Sequence, residues 1–120
     1  GALTEQERLE ARLAEGTLRD ELRGGSLMSA AVREAITEAR RAGATVTVFD
    51  EDGLDGIDED RIEEIRAELA DVLARARSNR LIIRAGRDDT NAVTVVGRTA
   101  GGATDDDAVE LWHEIRRVAE

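Results

Sequence analysis

Apolar residues recur along this chain at two spacings, and the switch between them marks its elements. Thr4 and Glu7 have the spacing of a capping box, and Leu9 and Leu13 behind them share one helical face. Gly16 interrupts this helix. Thr17 and Asp20 restart it ahead of Leu18 and Leu22, and Gly24 and Gly25 end it. A second helix starts at a cap on Ser26 or Ser29. Met28, Val32, Ala35, Ile36 and Ala39 make its stripe, and Gly43 stops it. Residues 44–50 then alternate Val46 and Val48 with Thr45 and Thr47, the period of a strand.

The third helix has a staple of Ile57 and Ile62 around an Asp58 cap, with Glu59 and Asp60 suited to the positive end of the helix dipole. Ile62, Ile65, Leu69, Val72, Leu73 and Ala76 form its core stripe, and Asn79 suits a left-handed stop. Residues 81–85 read as a strand in which Leu81, Ile82 and Ile83 run continuously and are buried on both faces. Residues 86–91 turn, 92–97 form the hairpin partner, and 98–103 are a Gly-rich loop. Thr104 and Asp107 then cap a last helix with Ala108, Leu111, Trp112, Ile115, Val118 and Ala119 on its core face.

The expected fold is a single small α+β domain in the order α-α-β-α-β-β-α. A three-stranded mixed sheet carries helices packed on it, and its first two strands are parallel through a right-handed crossover. So small a sheet cannot hide four helices on one face. Either helices cover both faces, or the N-terminal helices pack on another chain. Residues 1–25 read as an N-terminal helical arm and 26–120 as the α/β core.

Composition narrows the chemistry. The 120 residues hold 27 acids and 17 bases, a formal charge of −10, and every base is Arg. With no Cys there is neither a disulfide nor a thiolate ligand or nucleophile. With no Lys there is no Schiff base and no P-loop. A single His leaves neither an all-His zinc site nor a Ser-His-Asp triad. The acidity and 2% aromatic content argue against direct nucleic-acid binding. No apolar run approaches membrane-spanning length, and the absence of a visible signal segment favours the cytoplasm.

Three features remain. The first is acidic: from Asp50 to Asp60 there are seven carboxylates and no base. Such crowding is relieved by a helix N-terminus or by a divalent cation, Mg²⁺ or Ca²⁺. The stretch follows a parallel strand, where ligands gather in α/β sheets, and the 86–91 turn with Asp88 and Asp89 falls at the same edge. Asp50, Asp52, Asp55, Asp88 and Asp89 are thus the candidate metal ligands. Phe49-Asp50-Glu51-Asp52-Gly53 resembles the first motif of haloacid-dehalogenase-type phosphatases. That resemblance covers five residues and implies a nucleophile at Asp50, a general acid at Asp52 and a requirement for Mg²⁺. Leu54 stands where that family has Thr. The segment is also similar to the Asp-x-Asp of Toprim domains and to EF-hand loops, although Leu54 is inserted between Gly53 and Asp55.

The second feature is basic. Residues 72–87 hold Arg75, Arg77, Arg80, Arg84 and Arg87 without an acid, and Arg98 follows. This is an edge for a carboxylate, a phosphate or an acidic peptide, or else for pairing with residues 105–107. The third is the apolar stripe of Leu9, Leu13, Leu18 and Leu22 on the arm, an interface for a second copy or another protein. His113, with Glu110, Arg116 and Arg117 at helical spacings, reads as a border residue. The leading expectation is a small acidic cytoplasmic protein-interaction or regulatory module, non-catalytic and able to homodimerise. The alternatives are a Mg²⁺-dependent phosphoryl-transfer or phosphate-ester enzyme using Asp50 and Asp52, and an acidic nucleic-acid mimic or toxin-neutralising partner.

Overall fold

The capping box forms as its spacing requires. Thr4 Oγ1 accepts from the Glu7 amide at 3.1 Å, and Glu7 Oε1 accepts from the Thr4 amide at 3.1 Å. This computed structural model describes residues 4–13, 27–86, 88–99 and 109–119, and in it the capped segment 5–13 is helical, α1. α2 (Ala30–Arg41) begins at Ser29, whose hydroxyl accepts from the Val32 amide. It ends in a Schellman turn: Ala44 N–H donates to Ala39 C=O and Gly43 N–H to Arg40 C=O, with Gly43 at φ +104°. α3 (Glu59–Arg75) starts at Asp58, whose carboxylate accepts from the Arg61 amide, and Ile57 and Ile62 both pack on the core as the staple requires. Its end differs from expectation. Ala76 leaves the helix in an extended conformation, and Asn79 does not take a left-handed one.

Four strands follow from the remaining apolar runs: β1 (Thr45–Asp50), β2 (Arg80–Ala85), β3 (Asn91–Arg98) and β4 (Val109–Arg116). They lie in the order β1-β2-β3-β4, with β1 parallel to β2 and the other two pairings antiparallel. The parallel step and the hairpin agree with the sequence reading. The last element does not. Where a capped helix was expected, a fourth strand pairs with β3, so the sheet has four strands instead of three.

Leu111, Trp112 and Ile115 fit a helical stripe, but Leu111, His113 and Ile115 also fit a strand's period of two. The second fit prevails because β3 is rich in buried valine and would otherwise expose a whole flank of unpaired backbone groups. β4 fills that flank, with register shifts between Asn91 and Val93 and between Gly97 and Arg98.

α2 and α3 pack side by side on one face of this sheet. Leu27, Ile36, Ile65 and Leu69 meet Leu81, Ile83, Val95 and Ile115 there, all at 1% exposure or less. Among the described residues no helix covers the other face. Ile82 is half-buried on that face, so β2 is not buried on both sides. α1 stays near the end of α2, where Glu10 pairs with Arg41 at 3.3 Å. Leu27 and Met28 belong to the core, and the arm boundary at residues 25–26 lies outside the described residues, as do all of residues 14–26. No helix among the described residues is long and apolar enough to cross a membrane.

Candidate functional site

Two surfaces gather the residues that carried chemistry in the sequence. The first lies at the carboxyl ends of β1 and β2. Asp52, Asp55, Gly56, Asp88, Asp89 and Arg117 line one depression there, so the two acidic segments do meet. The loop is built on Gly53, whose Cα lies against β2. A Cβ at that position would come within 2.5 Å of the Ala85 carbonyl carbon. Glu51 N–H donates to Ala85 C=O at 2.6 Å, and Gly53 N–H donates to Asp50 Oδ1 at 3.2 Å. Asp52 takes φ +62°, a left-handed conformation that Asp tolerates. Asp88 Oδ1 accepts from the Thr90 amide at 2.8 Å, closing the facing turn.

Asp50 therefore caps the loop and does not line the depression with the other four carboxylates. The basic group that joins them is Arg117, which in sequence stands out only as a neighbour of His113. It donates to Gly53 C=O at 3.0 Å and to Asp55 C=O at 2.6 Å. Beside it Arg61 donates from Nε and Nη2 to Arg116 C=O, so the end of β4 is tied to α3 as well. Among the described residues no three His, Asp or Glu side chains stand where they could hold a metal ion together. The chemistry displayed is a carboxylate loop held by capping bonds and an arginine clamp.

The second surface is the uncovered sheet face, where a groove of ≈ 590 Å³ is lined by Ile82, Arg84, Thr94, Val96, Arg98 and Trp112, among others. Strand register sets its layout. Thr47, Ile82, Val96 and Trp112 lie side by side across the four strands, and the last three form an apolar row. Trp112 is 62% exposed and Val109 is 48% exposed. Arg80 and Arg98 are directly paired on β2 and β3, and the Arg84 guanidinium sits over the Phe49 ring, 4.7 Å from its centroid.

Of the six arginines singled out by sequence, Arg80, Arg84 and Arg98 thus share this face. Arg75 pairs with Asp71 on α3, Arg77 is exposed in the link to β2, and Arg87 lies outside the described residues. Of the four leucines, Leu13 is buried and Leu9 half-buried on α1, while Leu18 and Leu22 lie outside the described residues. His113 is not a helix-border residue. It stands on β4 toward the helices, its Nε2 2.7 Å from Glu68 Oε2 of α3.

The apolar row was missed because Trp112 was assigned to a helix core. A strict alternation reading of 109–116, with Leu111, His113 and Ile115 inward and Trp112 and Glu114 outward, is the signal that finds it. No protein-family model matches the chain, and no curated protein or solved structure shows a significant similarity to it.

Proposed function

We propose that this chain is a non-catalytic protein-interaction or regulatory module, and that it makes its contacts through the uncovered sheet face. One observation carries the reading. Trp112 stands exposed at the end of a continuous apolar row on a sheet face that no described helix covers. Single exposed apolar residues are ordinary, but an aromatic continuous with Val96 and Ile82 is the kind of patch that marks a contact surface. Tryptophan and arginine are also the side chains that most often dominate binding energy.

The test is selection of a displayed random-peptide library on the immobilised chain. The selected peptides are expected to lose about 30-fold or more in affinity for Trp112→Thr, the size of one hot spot. Peptides that bind the variant as well as the wild type, or that map to the acidic depression, would overturn the reading.

A further inference from the structure

The backbone bonds of the sheet fix which groups face its edges. Thr45 N–H donates to Asn79 C=O and Glu51 N–H to Ala85 C=O, so the odd-numbered residues of β1 and β2 turn toward one another. Alternation carries this across the sheet. Ile82 and Arg84 bond toward Val96 and Thr94, and Val93, Val95 and Gly97 bond toward Ile115, His113 and Leu111. Trp112 and Glu114 are left with N–H and C=O pointing away from β3, at the outer edge of β4. Two bonds at the end of the strand agree: Arg117 N–H donates inward to Thr90 C=O, while Arg116 C=O, turned outward, accepts from Arg61.

Four backbone groups on two exposed residues thus have no pairing strand among the described residues. The opposite edge differs. There Val46 C=O accepts from Arg40 Nη2 at 2.7 Å and Val48 is 2% exposed, so β1 is closed to a neighbour. A row of backbone donors and acceptors open to solvent is a template for one more strand.

We propose that β4 takes an extended segment of another protein as a fifth strand, with an Arg or Lys beside Glu114 and an apolar residue two positions along, beside Trp112. The inference rests on the contact-surface reading above, because Trp112 belongs to both, and deepens it by naming the form of the partner.

Two observations choose this occupant. An extended backbone matches N–H and C=O groups that repeat every second residue, whereas a helix has spent its own on itself. Beside the edge, Glu64, Glu68 and Glu114 line a depression of ≈ 370 Å³ together with Arg61 and Arg116, and Arg61 is engaged by Glu64 and by Arg116 C=O. Glu68 and Glu114 are held at Oε2, by His113 and by Asn91, which leaves Oε1 of each to accept from a guanidinium or an ammonium group. A second copy of this chain fits less well, because it brings the same carboxylates to the same edge.

The experiment starts from peptides selected on the full chain from a displayed random library. Each is resynthesised with single backbone N-methyl groups, which remove one N–H donor at a time. Affinity is expected to fall about tenfold or more at alternate residues and to change less than about threefold at the residues between them. In the free chain the Trp112 and Glu114 amides are expected to exchange with solvent faster than those of His113 and Ile115, and saturating peptide to slow them about tenfold or more. Glu114→Arg is expected to weaken the Arg- or Lys-bearing peptides about tenfold by setting like charges side by side, with urea unfolding confirming that the variant folds.

A methyl scan without a two-residue period would overturn the proposal. So would bound peptide that leaves exchange at Trp112 and Glu114 unchanged, or a selection that yields no peptide. Slowing of the same two amides as the chain's own concentration rises would put a second copy in place of the peptide, and would overturn it as well. Peptides that depend on Trp112 but show no period remove strand addition while the contact-surface reading stands. Peptides indifferent to Trp112 remove that reading itself.

Discussion

Replacing Ile115 by Ala is expected to cost about 2–4 kcal/mol of stability and to lower the melting temperature by about 10 °C. Replacing Trp112 by Thr is expected to change stability by no more than about 0.5 kcal/mol. The contrast follows from the pleat. Ile115 is 1% exposed, lying on the face that α2 and α3 cover, while Trp112, three residues earlier on the same strand, is 62% exposed on the opposite face. Deleting three buried carbons at Ile115 leaves a cavity against the helix layer, and the rigid sheet relaxes into it only partly. Thr at position 112 introduces a β-branched side chain that suits an edge strand, and empties no core. In a helix, residues 112 and 115 would share a face, and both substitutions would destabilise. Urea unfolding of the two variants separates the arrangements. Comparable losses at both positions would mean that the segment is not the strand described.

Gly53→Ala is expected to destabilise by about 2–3 kcal/mol, near the upper part of the range for overpacking. Its Cβ would lie 2.5 Å from the carbonyl carbon of Ala85 and 2.7 Å from its Cβ. No rotamer change relieves a clash with backbone, so the acidic loop would have to lift off the end of β2. That would break the 2.6 Å bond from Glu51 N–H to Ala85 C=O and draw Gly53 C=O away from Arg117. Gly86 is the matched control. Nothing lies within 4 Å of a Cβ built there, so Gly86→Ala is expected to be close to neutral. Thermal unfolding of both variants checks the pair, and equal effects would contradict the docking of the loop on β2.

Much of the fold was legible because its signals were local. The Thr4–Glu7 box, the Ser29 and Asp58 caps, the Gly43 stop and the Ile57–Ile62 staple each act within a few residues, and all of them form. The parallel β1–β2 pair followed from the strand–helix–strand order, and the β2–β3 hairpin from the turn between two apolar runs. The final segment was not legible, because Leu111, Trp112 and Ile115 satisfy both periods. What decides between them is the unpaired flank of β3, a demand set by residues more than ten positions away.

The same ambiguity hid the contact surface. With Trp112 placed in a core, Ile82 and Val96 had no apolar neighbour to continue their row. Convergence of the acidic segments was legible from topology. Arg117 was not, since its role depends on where the end of β4 arrives. The arginine-rich stretch looked like one patch along the chain. Strand alternation and the helix end divide it, so that Arg80, Arg84 and Arg98 share a face and Arg75 turns to Asp71.

Trp112 is the only tryptophan of the chain, so intrinsic fluorescence reports the uncovered face and nothing else. In dilute solution the predicted result is long-wavelength emission with acrylamide quenching close to that of free tryptophan. Blue-shifted emission protected from the quencher would place Trp112 in a core, and would contradict both the strand and the contact surface built on it.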